Sequence, residues 1–311
     1  MYTWNFFVQE LVNGLTLGSV YALIALGYSM VYGILKLLNF AHGEVYMIGA
    51  FIGYGVLTAA GGPANPRIAV WLLIPLMFIA AMIGSGLLGV VIERFAYRPL
   101  RNAPRIAPLI SALGVSFFLQ NTALLLFSAD YRSYQSVKLA NGALFLRGYR
   151  HGPLRISLLG IIVIVTTAVL MIALALFVRK TRIGKAMRAT SYDREAASMM
   201  GIDVDRVIVI TFFIGSALAG AAGVMVGLLF ERVYHFMGFV AGLKGFTAAV
   251  VGGIGSIPGA MLGGIVIGLV EAFSTGYLSS TFYDLIVFGI LIAVLLIRPT
   301  GLLGKADIKK V

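Results

Sequence analysis

Long apolar runs alternate with short polar segments along the whole chain. A helix of roughly 20 apolar residues crosses the hydrocarbon core of a bilayer, because only a backbone that satisfies its own hydrogen bonds is stable there. The chain is therefore predicted to be an all-α bundle that crosses a membrane many times. By this measure the first six spans are residues 11–35, 44–59, 68–92, 107–128, 157–177 and 207–230.

The next apolar region, residues 239–275, is rich in glycine and is interrupted at residues 256–258, Ser-Ile-Pro. Irregular backbone is tolerated at membrane depth only where other parts of the protein cover it. We therefore expect two short or re-entrant helices here, followed by a last span at residues 282–297. The total is about eight to nine spans.

Glycine accounts for 38 of the 311 residues, and much of it lies inside the predicted spans. Lipid tails are as apolar as leucine side chains, so helices associate in a membrane mainly through close packing, which small residues permit. A compact bundle with many helix contacts is the expected result.

Composition and charge agree with a membrane protein. Only 12% of the residues are charged and 60% are hydrophobic, whereas a soluble domain has roughly a quarter of its residues charged. The net charge of +12 comes from basic residues in the polar segments between spans, and such residues are retained on the cytoplasmic side. A nucleic-acid partner is not needed to explain the charge.

The basic segments at residues 93–105 and 179–206, and the tail after residue 297, are therefore assigned to the cytoplasm. Residues 129–156 contain five basic residues, but two spans separate the cytoplasmic segments on either side of them. This segment is consequently expected in the periplasm. The absence of a cation in residues 1–10 favours an external N-terminus.

Several chemical functions are excluded or disfavoured by the residues present. Cysteine is absent, which excludes disulfides and thiol catalysis, and the three histidines His42, His151 and His235 lack a metal-ligand spacing. Gly184-Lys185 and Gly304-Lys305 are each followed by alanine and lack the upstream glycine of a P-loop. We expect no enzymatic activity, cofactor or metal in this chain.

Residues 179–206 form the longest charged segment, and part of it has helix signals. Thr190 and Asp193 have the spacing of a capping box, residues 194–200 are mostly good helix formers, and Gly201 suits a helix end. A helix of about two turns is predicted on the membrane surface.

Ala196, Ala197 and Met200 are predicted to form a small apolar face on this helix, flanked by Arg194 and Glu195. Alanines permit close approach of another backbone, and an exposed apolar patch needs a cover. From the residues alone, the helix either docks a cytoplasmic protein or lies against the lipid headgroups.

The order Glu195-Ala196-Ala197 followed after three residues by Gly201 is similar to the EAA loop of ABC importer permeases, in which a coupling helix contacts the ATPase. The rest of the chain resembles one branch of them, the LivH-type permeases of the branched-chain amino-acid ABC transporter family. The matching stretches cover nearly the full length and are residues 18–27, 38–44, 93–101, 242–247, 252–260 and 298–301.

This resemblance implies a single transmembrane permease domain, residues 1–311, of a type II-like importer in the bacterial inner membrane. It further implies a second homologous permease subunit, two cytoplasmic ABC ATPase subunits and a periplasmic substrate-binding protein as partners. The residues that it assigns to ATPase coupling are Asp193, Arg194, Glu195, Ala196, Ala197 and Gly201.

Ionisable residues inside spans are candidates for function, because an ionised side chain at the bilayer centre costs at least about 2.5 to 3.5 kcal/mol. The candidates are Glu10, Glu44, Lys244, Glu271 and Asp284. We expect His42 to pair with Glu44, and Lys244 to pair with Glu271.

A translocation path also needs uncharged polar groups. The proposed path residues, charged and uncharged, are Asn39, His42, Glu44, Gln120, Asn121 and Thr247. Ordinary hydrogen bonding between and within helices explains these residues equally well.

Two other transport functions remain open from the sequence. Permeases for urea or short amides have similar membrane segments, and an ion-coupled secondary transporter would use carboxylates such as Glu44 and Glu271. A membrane-embedded enzyme is disfavoured because no nucleophile, base and metal ligands are clustered.

Overall fold

A computed structural model describes residues 4–63, 66–101, 103–104, 106–134, 149–151 and 154–304. The helices are α1 Trp4–Leu35, α2 His42–Ala59, α3 Val70–Ile92, α4 Ile106–Phe127, α5 Leu158–Lys180, α6 Arg182–Tyr192, α7 Arg194–Met199, α8 Val204–Phe230, α9 Met237–Gly252, α10 Ile257–Tyr277 and α11 Tyr283–Ile297. A π-helical turn Glu93–Tyr97 and a 3₁₀ turn Arg98–Leu100 extend α3.

The predicted all-α membrane bundle is confirmed. Among the described residues, six helices are long and apolar enough to cross a membrane, namely α1, α3 with its extension, α4, α5, α8 and α10, while α9 and α11 are shorter apolar helices. One short antiparallel pair of strands, β1 Tyr149–His151 and β2 Leu154–Ile156, was not predicted. Residues 135–148 and 152–153 of the predicted periplasmic segment lie outside the described residues.

Helix α1 begins at Trp4, seven residues before the predicted start at residue 11. The prediction stopped at the charge of Glu10, but polar residues continue the helix beyond the apolar run. Gln9 Nε2 donates to Asn13 Oδ1 at 3.0 Å, one turn along the same helix. The helix therefore extends past the segment that hydropathy alone identifies.

Helices α1 and α8 are the most buried of the long helices, and α4 and α5 lie at the periphery with exposed apolar faces. Two glycine pairs, each four residues apart, pack α1 against α10: Gly14 and Gly18 face Gly264 and Gly268. A Cβ atom on Gly268 would overlap the backbone of Gly18. The close packing expected from the glycine content is thus present at the centre of the bundle.

The chain between α1 and α2 is not helical, although part of it is buried. Lys36 has a positive φ of 55°, and Asn39 and Ala41 are buried in the bundle. The Tyr97 hydroxyl lies 3.1 Å from the Leu38 carbonyl oxygen and 3.2 Å from Asn39 Oδ1, and it can donate to either. Side chains of the bundle therefore satisfy the unwound backbone in place of water.

The predicted interruption near residues 256–258 is also present. Helix α9 ends at Gly252, Gly253 has a φ of 114°, and the Ser256 side chain accepts a hydrogen bond from the Gly259 amide at 3.2 Å. Ser256 thereby caps the start of α10. Helix α9 is short, as expected, but α10 has 21 residues and is long enough to cross a membrane.

Candidate functional site

The charged segment at residues 179–206 folds into α6, α7 and the start of α8. Each helix start is capped by a side chain: Thr181 accepts from the Gly184 amide at 3.0 Å, Asp193 from the Ala196 amide at 3.1 Å, and Asp203 from the Arg206 amide at 3.0 Å. The predicted capping box beginning at Thr190 is wrong. Thr190 is buried within α6, because the helix formers on its N-terminal side already belong to that helix.

Helix α7 ends at Gly201, as predicted. Gly201 has a φ of 80°, its amide donates to the Ser198 carbonyl oxygen at 3.0 Å, and the Ile202 amide donates to the Ala197 carbonyl oxygen at 3.1 Å. These two hydrogen bonds form a Schellman motif, which requires a left-handed residue at this position. Gly201 therefore fixes both the length of α7 and the direction of the chain after it.

The predicted single face of Ala196, Ala197 and Met200 is wrong in part. Ala197 is buried, whereas Ala196 and Met200 are exposed. Consecutive helical residues differ by about 100° in direction, while residues four apart share a face. Tyr192, Met199 and Met200 are each more than 80% exposed, and together with Ala196 we call these residues the coupling patch.

Arg194 ties α7 to the end of α1. Its Nε and Nη2 atoms donate to the Ile34 carbonyl oxygen at 2.9 and 2.6 Å. Burial lowers the pKa of the Arg194 guanidinium, and the nearby positive charge of Arg101 lowers it further. Ile34 lies in the last turn of α1, whose carbonyl groups have no partner within the helix, so Arg194 stabilises that helix end. Glu195, on the same short helix, is exposed.

A second attachment, at the start of α8, was not predicted from the sequence. Glu93 is fully buried and forms an ion pair with Arg101. Arg98 Nε also lies 3.6 Å from Glu93 Oε1. Both arginines also reach Asp205, with Arg98 Nη2 at 3.5 Å from Asp205 Oδ2. The sequence did contain a signal for this contact. The basic segments at residues 93–105 and 179–206 each have a carboxylate near one end, Glu93 in the first and Asp205 in the second. The contacts join the end of the charged segment, residues 179–206, to the extension of α3.

Replacement of Arg194 by methionine is expected to loosen α7 from the bundle. Hydrogen bonds to a charged group contribute about 1.5 to 3 kcal/mol, so local opening of residues 179–206 should rise by roughly ten-fold or more. Trypsin cleavage after Lys185 and Arg188, measured in membrane vesicles that expose this segment, reports the change.

Arg194→Lys is the matched control, because lysine retains the charge but lacks the planar guanidinium that donates through two nitrogens. Its cleavage rate should lie between those of the parent and Arg194→Met. Equal cleavage rates for all three proteins would show that the contact with Ile34 does not hold the segment.

Glu44 lies in the first turn of α2 and is buried. Its Oε1 atom accepts hydrogen bonds from Ser116 Oγ and Gln120 Nε2 of α4, both at 3.2 Å. The predicted pairing with His42 is wrong, and the His42 ring instead makes an edge contact with Tyr28 at a centroid distance of 4.8 Å. Residues two positions apart on a helix do not face each other, which explains the error.

The six proposed path residues fall into two groups. Asn39 lies just before α2, His42 and Glu44 lie in its first turn, and Gln120 reaches Glu44 from α4. Asn121 and Thr247 bond within their own helices: Asn121 Nδ2 donates to the Phe117 carbonyl oxygen at 2.8 Å, and Thr247 Oγ1 donates to that of Leu243 at 2.9 Å. Their role in translocation stays a prediction.

A cavity of about 780 Å³ lies between α1, α8, α9 and α10. On α1 it is lined by residues between Glu10 and Tyr21, which lie at the opposite end of the helix from Ile34. At 1.5 Å per residue, Tyr21 is about 20 Å from the contact with Arg194. The six proposed path residues are not in its lining.

Lys244 and Glu271 meet in this cavity. The predicted pair is confirmed, with 2.7 Å between Lys244 Nζ and Glu271 Oε1. Tyr21 donates its hydroxyl to Glu271 Oε2 at 2.8 Å, and Asp284 Oδ1 lies 3.0 Å from Lys244 Nζ. The Lys244 ammonium also lies 4.3 Å from the centroid of the Tyr283 ring. Neither tyrosine was predicted from the sequence, because contacts between residues far apart in the chain leave no local pattern.

Residues 10–296 match the family model described as the permease component of the branched-chain amino acid transport system. The chain belongs to this family. The permease is 45% identical over 306 residues to the high-affinity branched-chain amino acid transport system permease protein LivH of Salmonella typhimurium, covering 98% of each chain. LivH of Escherichia coli K12 and BraD of Pseudomonas aeruginosa are also 45% identical, over 309 and 305 residues, with 98% of each chain covered.

Proposed function

We propose that this permease is the membrane subunit of an ABC importer that carries leucine, isoleucine and valine across the bacterial inner membrane. The observation that carries the proposal is 45% identity over 98% of both chains to permeases named for branched-chain amino acid transport. The coupling patch supports it, because apolar side chains this exposed at the end of a membrane bundle suit a protein partner.

The energy comes from ATP hydrolysed on other chains, since the sequence contains no P-loop. Two cytoplasmic ATPase subunits dock at the coupling patch of this chain and at that of a second, homologous permease. A periplasmic substrate-binding protein delivers the amino acid. This arrangement places residues 179–206 in the cytoplasm and residues 129–156 in the periplasm.

Two contacts support a route for movement from the ATPase into the bundle. Arg194 holds the end of α1 through the Ile34 carbonyl, and Asp205 reaches the extension of α3 through Arg98 and Arg101. A displacement of α7 therefore moves α1 directly, and it moves α3 through the start of α8 that follows α7 in the chain. Since α1 packs closely on α10, the same movement changes the walls of the cavity and gives alternating access.

Transport by reconstituted vesicles tests this function. The permease, its second permease and the ATPases are reconstituted with ATP on the coupling side and binding protein on the other. Uptake of leucine is expected to require both ATP and binding protein and to continue when proton and sodium gradients are collapsed. Uptake driven by an ion gradient without ATP would instead identify a secondary transporter.

The same vesicles separate amino acids from urea and short amides. A tenfold excess of unlabelled isoleucine or valine should reduce uptake of labelled leucine, and the same excess of urea or acetamide should not. Uptake of urea in the absence of leucine uptake would show that the permease transports urea or short amides and not branched-chain amino acids.

A further inference from the structure

The lining of the cavity between α1, α8, α9 and α10 contains both carboxylates and cations. The carboxylates are Glu10 and Glu271, and the cations are Arg232 and Lys244. Charges inside a membrane bundle are costly unless they are paired. A ligand carrying one positive and one negative group can pair with a carboxylate and with a cation of this lining at the same time.

Lys244 has a second carboxylate partner, and this allows Glu271 to change partners. Lys244 Nζ lies between Glu271 at 2.7 Å and Asp284 at 3.0 Å. If Glu271 turns toward a bound ammonium group, Asp284 still neutralises Lys244. The Lys244 ammonium has three N–H donors and two carboxylate partners, so one donor remains for the carboxylate of a ligand. If Glu271 were the only partner of Lys244, breaking their ion pair would leave a buried charge unpaired, which is strongly destabilising.

The rest of the lining is largely apolar or aromatic. It includes Leu17, Val226, Leu229, Met237 and Val240. The volume of about 780 Å³ falls in the range of small-molecule sites, which combine apolar walls with a few fixed polar groups. A branched aliphatic side chain can therefore be buried beside the charged groups.

We propose that this cavity is a binding site for a free amino-acid zwitterion with an apolar side chain. Glu271, held by the Tyr21 hydroxyl, receives the α-ammonium group, and Lys244 receives the α-carboxylate. The inference rests on the proposed function for the class of substrate, and it adds the site where the permease itself holds that substrate. It places the site on α1, α9 and α10, in a cavity whose lining includes none of the six predicted path residues.

Thiol labelling tests the site without background, because the chain has no cysteine. Thr275 is exposed in the lining of the cavity, so Thr275→Cys reports on its occupancy. Ser280→Cys is the matched control, since Ser280 is exposed in the loop between α10 and α11 and is not in the lining. Spheroplasts expressing each variant are treated with a membrane-impermeant maleimide, with and without leucine.

Leucine at about ten times its Kd should slow labelling of Thr275→Cys by about ten-fold and leave Ser280→Cys unchanged. Isocaproate, which lacks the ammonium group, and isopentylamine, which lacks the carboxylate, should not protect at the same concentration. Equal protection by either compound would overturn recognition of a zwitterion.

Glu271→Gln in the Thr275→Cys background should abolish the protection, and Tyr21→Phe should weaken it. The labelling rate without leucine shows whether each variant retains the fold. If Glu271→Gln misfolds, Tyr21→Phe tests the proposed contacts instead, because phenylalanine preserves the ring and removes only the hydroxyl that holds Glu271. Unchanged protection in a folded variant would contradict the proposed contacts.

The outcome is independent of the transport experiment. Labelling needs neither ATP nor the binding protein, so protection without ATP-dependent uptake would overturn the transport proposal alone. ATP-dependent leucine uptake with no protection at Thr275→Cys would overturn the cavity site alone.

Discussion

Replacement of Gly268 by valine is expected to lower the amount of permease that accumulates in folded form. A side chain at this position would overlap the backbone of Gly18 on α1, and backbone cannot move aside as a flexible side chain can. Overpacking in a close-packed core costs about 1 to 3 kcal/mol, and occasionally more, while the total stability of a protein is only about 5 to 15 kcal/mol. Because α1 is the most buried of the long helices, its separation from α10 would disturb the packing of the whole bundle.

The yield of monodisperse protein after extraction in mild detergent, measured by size-exclusion chromatography, reports this effect. Gly114→Val is the matched control, because Gly114 is an exposed residue of α4 and an added Cβ would meet nothing within 4 Å. The control should be extracted at the parental yield. Parental yield for Gly268→Val as well would mean that α1 and α10 do not cross at these glycines.

Replacement of Gly201 by valine is expected to separate ATP hydrolysis from uptake. The φ of 80° at Gly201 is unfavourable for any residue with a Cβ and most unfavourable for a β-branched one. An added Cβ would meet nothing within 4 Å, so the effect comes from the backbone and not from a clash. The strain, about 1 to 2 kcal/mol, is relieved by unwinding the end of α7, which displaces Met199 and Met200.

In the reconstituted vesicles, leucine uptake by Gly201→Val should fall by about ten-fold, the change that corresponds to 1.4 kcal/mol, while ATP hydrolysis continues. Gly201→Asn should retain most of the uptake, because asparagine adopts the left-handed conformation more readily than other residues. A parallel loss of both activities would indicate misfolding, and normal uptake by Gly201→Val would show that the end of α7 does not transmit movement.

The spans were predictable because crossing a bilayer is a local demand on the sequence. Each apolar run must satisfy its own backbone hydrogen bonds, so hydropathy alone located the helices to within a few residues in most cases. The break between α9 and α10 and the end of α7 were predictable for a similar reason. Glycine with positive φ at Gly201 and Gly253, and the capping serine Ser256, act within a few residues of their own positions.

Errors arose where a local signal allowed two outcomes. The spacing of Thr190 and Asp193 fits a capping box, but Asp193 alone caps α7, because the residues before it form another helix. His42 and Glu44 are close in sequence, but helical geometry directs them to different neighbours. The candidate coupling residues were correctly placed on one short helix and its caps, while their directions required the packing of α7 on the bundle.

The sequence by itself determined that this protein is a bundle of membrane helices with a structured charged segment and without a P-loop pattern. Only the tertiary structure decided which side chains meet: Arg194 with the end of α1, Glu44 with α4, and Lys244 with both Glu271 and Asp284. The physical reason is that hydropathy and capping depend on neighbours in the chain. The partners of a buried polar group depend instead on how helices far apart in sequence are rotated against one another.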